Sequence, residues 1–156
     1  MTPPDPIARP AARVLLLDAT DRVLMFRGGD PGRPDLPAYW FTVGGGLNVG
    51  ETPVQAAIRE TFEETGLHRT ADDLVGPVWH EVVEFPFDGH IYRQSQDFFV
   101  SRVEHWDVDT SAFDEIEVRS IDRHRWWSID ELATTSETCY PVGLPDLLRR
   151  VLSRAA

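Results

Sequence analysis

The sequence predicts an α/β fold: three layers, α/β/α, around a mixed β-sheet. Three observations predict it. Strand-like runs lie on both sides of one strongly signalled helix, and a second amphipathic helix ends the chain. Hydrophobic residues make up 42% of 156 residues, an ordinary share for one globular domain with a core of its own. The order of strands in the sheet does not follow from these patterns.

The elements come in a readable order. Residues 1 to about 11, rich in proline, read as a flexible N-terminal arm, which leaves 12–156 as a single domain. ARVLLLDA and RVLMFRG flank Thr20 and Asp21 and read as a β-hairpin. DPGRPDLP is a surface loop, and YWFTV, residues 39–43, a short strand before three glycines. VWHEVVEF and YRQSQDFFVSRV alternate as strands about a turn at Asp88 and Gly89. HRWWSI is a further strand. Ser128 to Glu131 matches a capping box and starts a short helix. In LPDLLRRVLSR, Leu147, Leu148, Val151 and Leu152 recur at helical spacing.

Charge and composition exclude several functions. The net charge of -11 argues against a nucleic-acid polymer as partner, though not against a small phosphorylated ligand bridged by a divalent cation. All fifteen basic residues are Arg, so Schiff-base chemistry and a lysine phosphate loop are both out. Cys139 is the only cysteine, and a reducing cytoplasm is the expected compartment. No apolar run has the length of a membrane span, and the first residues lack the apolar core of a secretory signal, so no membrane partner is expected. The five histidines are scattered without zinc-ligand spacing.

The helix after the glycines holds the chemistry. Thr52 is a good N-cap, Pro53 suits the first helical position, Gln55 completes a capping box, and Gly66 ends the helix left-handed. At about 100° per residue, Val54, Ile58, Thr61, Phe62 and Thr65 fall on one arc and Glu60, Glu63 and Glu64 on the opposite one. Arg59 sits at the edge of the acidic arc, where it is expected to pair with one carboxylate. Two readings stay open on the helix alone. A solvated acidic face is cheap, since like charges one turn apart cost only tenths of a kcal/mol. A cleft-facing cluster needs a hard cation such as Mg²⁺ or Mn²⁺ to offset the crowding. The glycines are expected to form a close turn that aims backbone carbonyls at that cation.

Taken together, Gly45, Glu51 and the run Arg59-Glu60-Thr61-Phe62-Glu63-Glu64-Thr65-Gly66-Leu67 resemble the signature box of the Nudix hydrolases, with every fixed position matched. Thr61 stands where an aliphatic residue is usual, and Val43 where proline often precedes the glycines. The resemblance covers 23 residues strongly and extends weakly through YWFTVGGG and RWWSIDEL.

The resemblance implies a Mg²⁺-dependent enzyme, with Mn²⁺ as a substitute, that cleaves the pyrophosphate of a nucleoside diphosphate linked to another group, X. Glu60, Glu63 and Glu64 would be metal ligands, with the Gly45 carbonyl completing the shell. Arg59 would orient a glutamate, and Glu51 would brace the loop against the helix. The general base is a box glutamate or a later carboxylate; Glu117, in the acidic stretch 114–117, is named as an additional ligand or base, against the reading of that stretch as a solvated loop. Arg27 and Arg93 could reach phosphate, and Trp40, Tyr92, Trp126 or Trp127 could stack on a base, though packing is the commoner use of such residues. A monomer or a homodimer would serve. Two alternatives are a non-catalytic nucleotide-binding module of the same fold, which loss of a box glutamate would favour, and an isoprenoid diphosphate isomerase. The intact box weighs against both.

Overall fold

The structure, a computed structural model, describes residues 4–154. Six strands and four helices follow in the order β1 (Ile7–Leu17), β2 (Val23–Gly28), β3 (Tyr39–Gly46), α1 (Pro53–Thr65), β4 (Val75–Phe87), β5 (His90–Arg102), α2 (Glu115–Ser120), β6 (Ile121–Trp127), α3 (Ile129–Thr134) and α4 (Leu144–Arg154). They form one mixed sheet of order β4-β5-β1-β3-β2-β6. The β1–β5 pairing is parallel and the others antiparallel. Among the described residues, no helix is long and apolar enough to cross a membrane.

Alternation along the central strands builds the three layers. Ala12, Val14 and Leu16 of β1, with Leu24 and Phe26 of β2, pack with Ala56 and Ala57 of α1. The residues between them, Leu15, Leu17, Val23 and Met25, pack on the other face with Leu132 of α3 and Leu144, Leu147 and Leu148 of α4. Each of these leucine, valine, methionine and phenylalanine side chains contributes about 1.5–3 kcal/mol on burial.

Several expectations need correction. The strand begins at Ile7, not after residue 11, and pairs with β5 from its first residue, so 7–11 belong to the sheet and not to a flexible arm. Residues 1–3 of that arm lie outside the described residues. The first hairpin pairs only at Leu17 and Val23, because β3 takes over the hydrogen-bonding edges: its residues 43–46 pair with β1 and 39–42 with β2. The three glycines continue β3 as strand and do not form a turn. Residues 115–120 are a helix, not a solvated loop.

Helix α1 has the expected ends. Oγ1 of Thr52 accepts from the Gln55 amide at 3.2 Å, the Gln55 side chain accepts from the Thr52 amide at 2.9 Å, and Gly66 closes the helix at φ 77°. Its orientation is not the expected one. The buried residues are Ala56, Ala57, Glu60, Thr61, Glu64 and Thr65, whereas Phe62 is 38% exposed and stacks on His68. The helix packs on its small residues. Thr61 and Thr65 satisfy their hydroxyls internally on the carbonyls of Ala57 and Thr61, so they can be buried without penalty. That rotation carries Glu60 and Glu64 toward the sheet and leaves Glu63 at the margin.

Candidate active site

The glycine strip of β3 is what lets α1 bring its acids to the sheet. A Cβ at Gly45 would lie 2.8 Å from Oε1 of Glu60. Gly44 adopts φ 135°, and a Cβ there would lie 2.2 Å from the Ala12 carbonyl oxygen. Its amide donates to Oε1 of Glu64 at 2.7 Å. Strand and helix are thus joined by a charge-assisted hydrogen bond that only close backbone approach allows.

Helix α2 supplies the third carboxylate. Asp114 and Glu117 form a capping box, in which the Asp114 amide donates to Oε1 of Glu117 at 3.0 Å. Glu60, Glu64 and Glu117 each present one oxygen such that all three lie within 4.8 Å of one another. Each has another contact that fixes it: Glu60 on Arg59, Glu64 on Gly44 and Glu117 on its own cap. Glu63 is not in this trio.

Arg59 holds the surround together, and it does more than pair once. It meets Glu51 bidentately at 2.9 Å through Nε and Nη2, Glu60 at 3.0 Å and Glu63 at 3.1 Å through Nη1, and the Gly46 carbonyl at 2.9 Å. The expectation of a single partner fails because the guanidinium fork lies between the loop and the helix, where its donors point in several directions. Hydrogen bonding to Arg59 holds the Glu51 carboxyl below its usual range, and Glu51 in turn holds Arg59 firmly protonated.

The electrostatics of the trio run the opposite way. Burial, together with the charges of Glu117 and Glu63 and against the pull of Arg59, raises Glu60 from 4.5 to about 7. Glu64 is only 2% exposed, and burial, then Glu60 and Glu117, push it well above the usual carboxylate range. Burial also raises Glu117. Carboxylates packed this closely are stabilised by protons or by a cation. The donor set is all oxygen and anionic, which suits a hard divalent ion such as Mg²⁺ and not a soft one.

The other expected contacts divide. Arg27 of β2 pairs with Asp122 of β6 at 2.5 Å. Arg93 is exposed and pairs with Glu84 across the β4–β5 hairpin. Trp40 has to be withdrawn as a substrate contact: it is 3% exposed and packs edge-on against Trp127 in the layer under α3 and α4. Arg9 and Arg13 of β1, which no motif of the sequence marks, also lie beside the glycine strip. Arg13 donates to the Gly44 carbonyl at 3.0 Å, directly behind the peptide that holds Glu64. An arginine inside an otherwise apolar strand was the available signal.

Known proteins support this architecture. The structure is similar to a MutT protein from Methanosarcina mazei, with a TM-score of 0.71 at 17% identity over 98% of this chain and 99% of that one. It is also similar to the dihydroneopterin triphosphate pyrophosphohydrolase of Escherichia coli, with a TM-score of 0.64 at 20% identity over 92% and 96% of the two chains. A Caenorhabditis elegans Ap4A hydrolase complex matches with a TM-score of 0.60 at 19% identity over 94% and 97%. The family model for the NUDIX domain matches residues 8–147. With that match over most of its length, the chain belongs to the Nudix family, hydrolases that act on phosphorus-containing anhydrides.

Proposed function

We propose that this hydrolase cleaves the pyrophosphate of a nucleoside diphosphate linked to another group, X, with Mg²⁺, or Mn²⁺ in its place, held by Glu60 and Glu64 with Glu117 beside them as the base. The observation that carries the reading is the convergence of three carboxylates, two of them buried, within 4.8 Å. Such a convergence is unfavourable without a cation and has no structural use that an apolar residue would not serve better. The names of two similar structures, an Ap4A hydrolase and a dihydroneopterin triphosphate pyrophosphohydrolase, point to the same bond class.

The bound ion supplies neutralisation of phosphate charge and acidification of water. The chain's own residues supply the rest. Glu60 and Glu64 are fixed by Arg59 and by the Gly44 amide, so their oxygens are already oriented toward each other. The Gly45 carbonyl, on the strand residue that faces Glu60, completes the ligand set. Glu117, the least buried of the trio and carried on a short helix, takes the proton from the attacking water. Glu63, bound to Arg59 at the margin, keeps the guanidinium in place and assists at the edge of the ligand set. Arg93 is exposed and Arg27 half-buried, and each is already engaged by a carboxylate, so any phosphate contact there would be an exchange of partners.

The test is a panel of nucleoside triphosphates, nucleotide sugars, dinucleoside polyphosphates and dinucleotides, incubated with wild type and Glu64→Gln, with and without Mg²⁺. Mg²⁺-dependent release of phosphate, pyrophosphate or nucleotide by wild type and its loss in Glu64→Gln are expected. Release with none of the panel would refute the reading.

A further inference from the structure

This chain has an excess of carboxylates, and most of its arginines find them: Arg22, Arg33, Arg59, Arg93 and Arg102 all lie in ion pairs. Arg123, Arg150 and Arg154 are scattered exceptions among the described residues, and two neighbours on β1 are a paired one. Among the described residues, Arg9 and Arg13 have no carboxylate partner, although they lie four residues apart on one strand and therefore on one face of it. That face lies across the glycines of β3 from the acidic trio, near enough that the charges of Glu64 and Glu60 act on Arg13. Gly45 faces Glu60, whereas a Cβ on Gly46 would lie 2.4 Å from Nε of Arg9. The glycine end of one strand, Gly44 to Gly46 of β3, separates acids from arginines. The strand ends at Gly46, so a ligand that rounds that end meets both.

The surroundings of the two arginines are those of a built surface. Arg13 uses Nε on Gln96 at 3.3 Å and Nη1 on the Thr42 and Gly44 carbonyls at 3.1 and 3.0 Å, which leaves Nη2 uncommitted. Arg9 lies over the Tyr92 ring, 5.5 Å from its centre. Gln94, only 1% exposed, donates to Gln96 at 2.7 Å, and Gln96 donates to Glu81 at 2.9 Å. The chain of amides fixes Arg13 from behind and ends in a buried acceptor, Oε1 of Gln94, which has no partner. A brace for β3 would need Arg13 alone; it gives no reason for a second unpaired arginine beside it.

We infer that X carries an anionic group of its own, a carboxylate or a phosphate, which Arg9 and Arg13 hold on the face of β3 opposite the acidic trio. This rests on the pyrophosphohydrolase reading for the placement of the substrate. It makes Arg9 and Arg13 specificity residues: a nucleoside diphosphate joined to a neutral sugar lacks the group they bind.

Calorimetry with matched probes tests it. UDP-glucuronate is compared with UDP-glucose, which differs by a carboxylate, and ADP-ribose is compared with and without a phosphate on its terminal ribose. Each is titrated with Mg²⁺ into wild-type and Glu64→Gln protein. The acidic member of at least one pair binds about tenfold more tightly, the size of one charge-assisted contact. Which pair shows the preference tells carboxylate from phosphate. Arg9→Gln brings the ratio close to one, Arg13→Lys retains part of it, and Arg149→Gln on α4 leaves it as in wild type. Equal binding within both pairs, an unchanged ratio in Arg9→Gln, or no binding of any probe overturns the inference. Arg9 makes no hydrogen bond on which the fold depends, so that variant decides even if changes at Arg13 prevent folding. Selective binding without product release would refute the hydrolytic reading alone; release without selectivity would refute this inference alone.

Discussion

Leu15, Leu17, Val23 and Met25 meet α3 and α4 in a layer made of apolar side chains. The alternate residues of the same strands meet α1 in a layer that also admits Glu60 and Glu64. The strands are common to both, so the difference lies in the covering helices and in the glycines of β3. One face serves chiefly stability where α3 and α4 cover it, and its arginines, Arg9 and Arg13, lie beyond that apolar layer. The other gives up stability to hold carboxylates where a cation can use them. The two faces should therefore respond in opposite directions to substitution.

The largest effect is expected at Glu64. Gln keeps the shape and can still accept from the Gly44 amide, but it removes a charge and a ligand. Turnover should fall at least about a thousandfold. Stability without metal should hold or rise, because a buried ionisable group with a raised pKa has been replaced by a neutral one. Steady-state rates and denaturant unfolding check the two halves. A large loss of stability in EDTA would contradict the view that this face is strained by its acids. Leu148 of α4 is the counterpart, fully buried on the other face. Leu148→Ala should lower unfolding free energy by about 2–5 kcal/mol and leave the rate per folded molecule near wild type. A collapse in rate with intact folding would show that the two layers are not independent.

A pH titration sharpens the same contrast. Glu60 has its pKa raised in the folded chain to about 7 from 4.5, so the native state binds that proton more tightly than the unfolded one. The resulting stability is complete below pH 4.5 and is lost as pH rises through about 7. In EDTA, unfolding free energy should drop across that window by about 3 kcal/mol from this group, at roughly 1.4 kcal/mol per pKa unit. Glu64 extends the loss to higher pH. Added Mg²⁺ should reverse the trend, because the ion binds the deprotonated carboxylates and stabilises the native state by mass action. Thermal unfolding with and without Mg²⁺ at pH 5 and pH 8 is the check, and the same Tm shift at both would refute it.

How far each face could be read in advance follows from the kind of signal it carries. The apolar face obeys local periodicities: leucines spaced for a helix in α4 and alternation in β1 both point to their partners. Caps are local too, so the ends of α1 and the start of α3 were legible. The acidic face depends on what lies opposite. The apolar arc drawn for α1 was rotated from the true one, because burial there follows the small residues Ala56 and Ala57 and the self-satisfied Thr61 and Thr65, and not Phe62. The box located Glu60 and Glu64 without showing that they point inward. Glu117 reaches them only because α2 forms, and its capping box, Asp114 to Glu117, was present in the sequence but read as loop. Trp40 misled because an aromatic residue near a site fits stacking and packing equally well until burial is known. The partners of Arg9 and Arg13 come from β3 and β5, a pairing that no local pattern encodes.

The smallest effect isolates what the acidic helix owes to its own ends. Thr52 and Gln55 satisfy each other's amides, and nothing else in the site touches either side chain. Thr52→Ala removes one acceptor and should lower stability by about 1 kcal/mol. If α1 were held mainly by its cap, that loss would also loosen the trio and reduce Mg²⁺ affinity. The contacts argue otherwise. Arg59 ties the loop to the middle of the helix through Glu51, Glu60 and the Gly46 carbonyl, and Gly44 ties the last turn through Glu64. The carboxylates are therefore anchored about two and three turns from the cap, on groups the substitution leaves alone. Calorimetric Mg²⁺ affinity should stay within about twofold of wild type while thermal unfolding falls, and a parallel loss of both would mean that the helix end positions the acids after all.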